Sequence, residues 1–357
     1  MRRLPIFFLV DVSESMAGEN LYKLEEGMSA IAASLRQDPY ALETAYISVV
    51  IFAGKTRTIM PLTELIAFHP PELPVAGGTG FGNALNHLMD EIDRTVVSTT
   101  PDRKGDWKPI VFLLTDGHPT DDTSAALQRW NAGYRNKANL VAVSIGGTAD
   151  HKLLKQLTDD VVVFNDTAPD AFGRFVKWIS MSIQSQSRSV QAGDDGRVNL
   201  AKSEPGLLEN VEKAGGLTPF SGVDDRFAVF VGKCEKSKLP YIVKYELHLG
   251  KIETADPALA KLFQTRRYAL NCAVPVKNSY FELSDETASG QSVSSEDLIG
   301  QPSCPHCNAQ YGMAVCGCGQ IHCIDGGGEH TCPWCGQTGH YGSAGEGGGF
   351  DIGRGRG

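Results

Sequence analysis

Five short apolar runs, separated by stretches with helical periodicity, decide most of what the first half of this chain can become. They are LPIFFLV (4–10), YISVVIFA (46–53), IVFLLT (110–115), LVAVSIG (140–146) and VVVF (161–164). Each is nearly continuous in hydrophobicity and rich in β-branched and aromatic residues, as a strand covered on both faces must be. Between them Leu21, Leu24, Met28, Ile31 and Leu35 recur at three- and four-residue steps, and residues 80–97, 121–137, 151–157 and 168–183 carry further helical patterns. Such alternation predicts an α/β fold, a doubly wound and mostly parallel sheet covered by helices. TRTIMPL follows the second run after Gly54-Lys55, a two-residue connection suited to a hairpin, so one antiparallel edge strand is expected.

The pattern changes after Trp178. SMSIQSQSRSVQAGDDG is polar and ends in glycine, which marks a helix end and a linker, with a boundary near 184–198. RFAVFVGKC, PYIVKYELHL, RRYALNCAVPV and SYFELSD then read as strands spaced by turn residues. A second polar stretch, ETASGQSVSSED, leads to a cluster of cysteines, and GSAGEGGGFDIGRGRG is too rich in glycine to bury a core. The expected divisions are an α/β domain over 1–188, a linker and small β-rich region over 189–298, a cysteine-rich zinc-binding domain over 299–341 and a disordered tail over 342–357.

Composition narrows the function classes. A formal net charge of −9 argues against a general phosphate-backbone binder, so nucleic acid is not an expected partner. No apolar run approaches the roughly 18 residues of a membrane helix, and no membrane partner is expected. MRRLPIFFLVD imitates a signal peptide, but Asp11 cuts its apolar stretch short and no A-x-A-like site follows. Seven of nine cysteines fall between 304 and 335, a clustering that reads as metal ligation in a reducing cytoplasm.

The oxygen chemistry sits where strands end. In open α/β sheets ligands gather at the carboxyl ends of the strands. Asp11, Ser13 and Ser15 follow the first run, Asp116 follows IVFLLT, and VAGGTGFGNAL carries Thr79 among glycines at the start of a helix. Three loops can thus aim oxygens at one point. Two aspartates would neutralise a divalent ion formally, and the hydroxyls of Ser13, Ser15 and Thr79 would ligate it without adding charge, a donor set suited to Mg²⁺, with Mn²⁺ or Ca²⁺ as alternatives. Gly77, Gly78 and Gly80 would let the Thr79 loop approach closely. Taken singly, Ser13 and Ser15 could cap a helix and Asp116-Gly117 could be a turn; capping explains no threonine–glycine loop elsewhere. Thr120-Asp121-Asp122 is expected to open the next helix by capping. GGTGFG lacks the lysine of a phosphate loop, and Ser13 stands where a D-x-D phosphotransferase needs its second acid.

The order D-x-S-x-S at 11, 13 and 15, a threonine in a glycine-rich loop and T-D-G at 115–117 resembles a von Willebrand factor A domain with a complete metal-ion-dependent adhesion site, over about residues 3–185. The resemblance implies that Ser13, Ser15 and Thr79 ligate the ion directly, that Asp11 and Asp116 often act through water, and that a partner protein's carboxylate completes the shell. Glu14 stands where many members have glycine, and the charge it adds is expected to tighten the cation and repel an acidic partner.

In CPHCNAQYGMAVCGCGQIHCIDGGGEHTCPWCG, Cys304/Cys307 and Cys332/Cys335 form two C-x-x-C knuckles with 24 residues between them. Paired knuckles close a four-thiolate cage, which predicts one structural Zn²⁺ on Cys304, Cys307, Cys332 and Cys335, with the insert as the hairpin of a zinc ribbon. Cys316, Cys318 and Cys323, with His306, His322 or His330, could hold a second zinc, or one pair could replace a knuckle. Cys234 and Cys272 read as buried small hydrophobes.

An A domain followed by PYIVKYE, YFELSD and this cysteine pattern resembles the TerY-type proteins associated with tellurite resistance. That resemblance implies a non-enzymatic, metal-dependent scaffold acting with a serine/threonine kinase and a PP2C-type phosphatase. The alternative from the residues is a Mg²⁺-dependent hydrolase or phosphotransferase using the same oxygens, which lacks an evident general base.

Overall fold

The computed structural model describes residues 2–145, 149–164, 171–191, 208–210, 225–250, 265–285, 291–342 and 350–355. Contacts divide the chain into two units, residues 1–73 with 79–220 and residues 221–357 with 74–78.

The first unit runs β1 (Leu4–Asp11), α1 (Glu19–Leu35), α2 (Pro39–Thr44), β2 (Ala45–Phe52), β3 (Thr56–Glu64), α3 (Phe81–Thr95), β4 (Ile110–Thr115), α4 (Ser124–Arg129), β5 (Asn139–Ile145), α5 (His151–Leu157), β6 (Val161–Phe164), α6 (Ala171–Gln191) and β7 (Leu208–Asn210). Its sheet has the order β3-β2-β1-β4-β5-β6-β7. The five apolar runs form its parallel centre, and β3 closes one edge antiparallel to β2, as the hairpin signal predicts. All eight residues of β1 are buried because the sheet is covered on both faces. On one side Phe7, Leu9, Val50 and Phe52 pack with Phe81, Leu85 and Leu88; Phe8 stacks on Phe112 at 5.6 Å. Burying each such side chain stabilises the fold by about 1.5–3 kcal/mol. The order reverses at β1, flanked by β2 and β4, so the loops after β1 and β4 diverge around a crevice.

Two boundaries differ from expectation. Helix α6 continues to Gln191, past the expected end at 183, because its buried Ser180 and Ser182 satisfy their hydroxyls on the carbonyls of Val176 and Trp178 and so do not break it. Leu208–Asn210, expected within the linker and β-rich region, pairs antiparallel with β6 and extends the first sheet. The expected boundary residues 192–198 lie outside the described residues.

The second unit contains β8 (Phe227–Lys233), β9 (Pro240–Gly250), β10 (Thr265–Pro275), α7 (Ser279–Leu283), β11 (Ser292–Ser294), β12 (Leu298–Ile299), β13 (Tyr311–Val315), β14 (Ile321–Ile324), β15 (Gly328–Thr331), β16 (Thr338–Tyr341) and β17 (Asp351–Gly353). SYFEL is thus a short helix and not the expected strand: Tyr280 and Leu283, three apart, are its buried residues. The β-rich region and the cysteine region are not separate. β14 pairs parallel with β8, joining both in one six-stranded sheet of order β12-β10-β9-β8-β14-β13. Cys304 and Cys323 pack in the same core as Phe230, Tyr241 and Tyr245. Nor is the glycine-rich end wholly without structure. Asp351–Gly353 pairs with β11, and buried Arg354 donates to Asp225 at 2.6 Å and to the Phe227 carbonyl at 3.4 Å. Residues 343–349 of the expected disordered tail lie outside the described residues.

Candidate metal centres

The oxygen residues expected to meet do meet. Asp11 ends β1, and because Val10 lies opposite Leu114, Asp11 is level with Thr115. Thr115 Oγ1 donates to Asp11 Oδ2 at 2.6 Å, and the Ser13 N–H donates to Oδ1 at 2.9 Å. Ser15 Oγ donates to Asp116 Oδ1 at 2.7 Å; with that proton committed, Ser13 donates to Ser15 Oγ at 2.9 Å. Thr79 is held by exchange with Thr120, its N–H on Thr120 Oγ1 and its carbonyl on the Thr120 N–H, both at 2.9 Å. Beside it, a Cβ on Gly80 would stand 2.9 Å from the Ala53 and Gly54 carbonyls, so the loop needs glycine there to come this close.

Two features of this cluster suit a divalent cation. A Cβ added at Gly117 would lie 3.5 Å from Asp11 Oδ2, 3.5 Å from Thr79 Oγ1 and 3.7 Å from Ser15 Oγ, so oxygens from two loops face a third, which carries Asp116 and Gly117, across one small space. The charge balance agrees. Burial, reinforced by Asp116, lifts the Asp11 carboxyl from 3.8 to about 7 against the hydrogen bonds from Thr115 and Ser13. Two buried carboxylates that repel each other are what a cation would relieve, and a hard ion fits this all-oxygen set. Asp11, Ser13, Ser15, Thr79 and Asp116 are the residues that would hold it.

Polar residues beside the cluster are enclosed or committed to helix ends. Glu14 is wholly buried, out of reach of any partner, so it cannot repel one by contact. Asp121 does cap a helix, but it caps α3 across the loop, accepting the N–H groups of Gly82 and Asn83 at 3.0 Å; Asp122 caps the start of α4 through the Ser124 N–H. Ser144 Oγ meets His151 Nε2 at 3.1 Å, a nucleophile–base spacing, yet Ser144 is wholly buried and packs instead of facing a substrate.

The eight clustered thiols form two cages: Cys234, Cys304, Cys307 and Cys323 in one, Cys316, Cys318, Cys332 and Cys335 in the other, with sulfurs in each within 4.8 Å of one another. The sulfurs lie 3.7 Å apart for Cys307–Cys323, 3.8 Å for Cys316–Cys335 and 3.9 Å for Cys318–Cys332. Tetrahedral zinc with Zn–S bonds of about 2.3 Å sets its sulfurs about 3.8 Å apart. The donor set and spacing therefore fit Zn²⁺ at both.

This corrects the expected pairing of Cys304/Cys307 with Cys332/Cys335, and the reading of Cys234 as a buried hydrophobe. The reason is strand register. β14 lies parallel to β8 with His322 opposite Lys233, which brings the next residues, Cys323 and Cys234, side by side. Cys304 and Cys307 join them, and the second knuckle closes with Cys316 and Cys318. Of the histidines considered as ligands, His306 bonds the Pro240 carbonyl, His322 bonds Tyr341 and His330 bonds Glu235. Cys272 belongs to neither cage and is half-buried, less enclosed than expected.

Four turns build the cages on one plan. In Cys234–Leu239, Cys304–Ala309 and Cys332–Gln337 the first cysteine accepts an N–H four residues on and donates to a carbonyl five residues on; Cys316–Gln320 is one residue tighter. The sharp reversal needs a left-handed residue, supplied by Lys238, Asn308, Gly319 and Gly336. Each cage also holds one acidic thiol. Burial pushes Cys234 up, but Ser237 and Cys307 pull it down to about 6. Cys316 is drawn down to about 6, chiefly by the Cys318 N–H, while Cys323 is pushed well up by burial. Four crowded thiols cannot all ionise without a cation, so metal would displace protons here.

Comparison with known proteins assigns both regions. Residues 6–177 match the von Willebrand factor type A domain family, and residues 224–357 match the TerY-C metal binding domain. The chain joins a von Willebrand factor type A domain to a TerY-C metal binding domain. Solved structures similar to its A domain include a von Willebrand factor type A protein from Catenulispora acidiphila, 18% identical over 51% of this chain and 43% of that one, TM-score 0.40. Proximal thread matrix protein 1 from the mussel byssus, with a zinc-occupied MIDAS motif, is 19% identical over 52% and 46%, TM-score 0.37. The PilB minor pilin from Streptococcus sanguinis is 12% identical over 53% and 63%, TM-score 0.38. The chain spans less than two thirds of the length of each.

In the A domain, sequence reasoning missed Thr115 and Thr120, the hydroxyls that orient Asp11 and Thr79. In the TerY-C domain it missed Cys234, although CEKSK repeats the outline of CPHCN and CPWCG, with Ser237 in the place of the second cysteine. Among the described residues no helix is long and apolar enough to cross a membrane.

Proposed function

We propose that this chain is a non-catalytic, metal-dependent scaffold whose A domain binds a partner protein through a divalent cation held by Asp11, Ser13, Ser15, Thr79 and Asp116. The observation that carries this reading is the convergence of oxygens from the loops of Asp11 and Thr79 on the space over Gly117, beside Asp116 at the sheet's carboxyl edge. The protein's own groups there are committed to one another, which leaves substrate chemistry without a base and favours a partner's carboxylate as the incoming ligand. Mg²⁺ is the proposed ion. The likeness to TerY-type proteins supports a Ser/Thr kinase and a PP2C-type phosphatase as partners in a tellurite-resistance-associated phosphorylation system, acting in the cytoplasm. The TerY-C domain would be held in shape by zinc at its two cages.

Calorimetric titration of Mg²⁺ into the full chain, then affinity purification with and without EDTA, tests the proposal. Thr79→Ala should weaken Mg²⁺ and partner together without lowering the melting temperature. Partner recovery unchanged by EDTA and by Thr79→Ala would overturn it.

A further inference from the structure

The two cages of the TerY-C domain are tied to each other by side chains that ligate neither. Glu235 follows Cys234, and its N–H donates to Cys323 Sγ at 3.3 Å, inside the first cage. Its carboxylate reaches out of that cage: Oε1 accepts the Thr331 N–H at 3.0 Å, and Oε2 meets His330 Nδ1 at 3.0 Å. Thr331 immediately precedes Cys332. The backbone of Glu235 is thus fixed in one cage while its side chain fixes the strand that enters the other.

A second strut crosses the opposite way. Trp334, within the Cys332–Cys335 turn, donates its indole N–H at 2.7 Å to the carbonyl of Ile321, two residues before Cys323. A third joins His322 Nε2 to the Tyr341 hydroxyl at 2.8 Å, where β16 pairs with β15 to close the hairpin whose turn carries Cys332 and Cys335. Chain order interleaves the cages as well, since Cys316 and Cys318 of the second lie between Cys307 and Cys323 of the first.

Metal entering either cage must first order its turns, each with one residue in a left-handed conformation. Once one cage is filled, β14 and the Glu235 turn are already in place, and the struts hold the neighbouring cage near its bound shape. Less conformational freedom remains to be lost there, so the second metal binds more tightly, and by linkage the effect is reciprocal. We infer that the two cages load with zinc cooperatively, and that Glu235 is a positioning residue that transmits the filling of one to the other. This rests on reading both cages as zinc sites.

The experiment separates the two statements. The full chain, stripped of metal under reducing conditions, is brought to one Zn²⁺ per chain, and its zero-, one- and two-metal species are counted by native mass spectrometry. Two independent sites, whatever their affinities, leave about half or more of the chains with one metal at that loading, whereas tenfold coupling cuts the ratio of one-metal to other chains about threefold, to a share below about a quarter where the two affinities match. The expected share in the natural protein is about threefold lower, as that ratio, than its two separate affinities would give. Glu235→Ala should return it toward the uncoupled share, with Glu235→Gln, which keeps an oxygen for the Thr331 N–H, in between. Zinc affinities of Cys304→Ser and Cys335→Ser, each with one cage intact, fix the share that uncoupled cages would give, and a natural-protein share that does not fall below it overturns the coupling. A low share that persists in a Glu235→Ala chain able to fill both sites at excess zinc overturns the role of Glu235. If that variant cannot fill both, Trp334→Phe, which keeps a ring and removes the donor, replaces it, and an unchanged share there overturns transmission through the struts. Failure of the natural chain to retain any zinc would instead defeat the zinc reading itself.

Discussion

The two metal centres of this protein are built in opposite orders. Around Asp11 the ligands hang from the ends of β1 and β4 and from the loop before α3, elements placed by a core that needs no ion: Phe7, Leu9, Val50 and Phe52 pack against α3 regardless. In the TerY-C domain seven of the eight cage thiols occupy turns and Cys323 lies on β14, and Cys304 and Cys323 are themselves core residues. A cation at the first centre is something the finished fold can hold. At the second, metal would be part of what makes the fold. Small domains with little core of their own depend on such ions.

Removing zinc should separate the two most sharply. Stripping the full chain with a thiol-competing chelator should unfold the TerY-C domain, since a structural zinc supplies on the order of 10 kcal/mol, and leave the A domain folded. Limited proteolysis with mass mapping reads this directly. Survival of a protected 225–355 fragment without zinc would erase the contrast.

A smaller effect belongs to the oxygen site and depends on pH. The Asp11 carboxyl sits at about 7 in the fold against 3.8 ordinarily, so the metal-free native state holds its proton more tightly than the unfolded chain does. Metal-free stability of the A domain should therefore be highest below about pH 4 and fall, by a few kcal/mol, as pH climbs toward 7. Saturating Mg²⁺ should cancel the loss. Asp11→Asn should remove both the slope and the gain from Mg²⁺. Urea melts of chelated protein at pH 5 and 8 can follow Trp107, Trp130 and Trp178, all in this unit; metal-free stability that rises with pH would contradict the burial argument.

The smallest change is Gly117→Ala. Its methyl would make ordinary contacts with Asp11, Thr79 and Ser15, so the melting temperature should hold, while Mg²⁺ affinity should drop by roughly tenfold as the space closes. Unchanged affinity in calorimetry would move the ion away from Gly117.

These contrasts also explain what could be read in advance. The parallel sheet and its oxygen cluster were legible because each strand carries its own hydrophobic signal, Asp11 and Asp116 sit at strand ends, and Thr79 stands among glycines just before a helix. The cage pairing was not. It depends on β14 lying parallel to β8 across almost ninety residues of chain, a register that no local pattern records, and Ser237 disguises the first knuckle. The strand at Asp351–Gly353 was hidden for a similar reason: its pairing with β11 is cross-chain information, and the glycines around it carry no periodicity. Glu14 was misjudged because alternation after β1 says which side a residue points to but not that its side chain is enclosed.

One consequence of the repeated turn concerns wiring. Ser237 stands in the Cys234 turn where Cys307 and Cys335 stand in theirs, and Cys323 supplies the thiol that Ser237 lacks. A chain carrying Ser237→Cys with Cys323→Ala would have its ligands in plain succession, 234, 237, 304 and 307, then 316, 318, 332 and 335. The topological crossing of the two thiol cages thus hangs on a single sulfur atom, and moving it would turn two interlocked cages into two consecutive ones without changing their number of thiols.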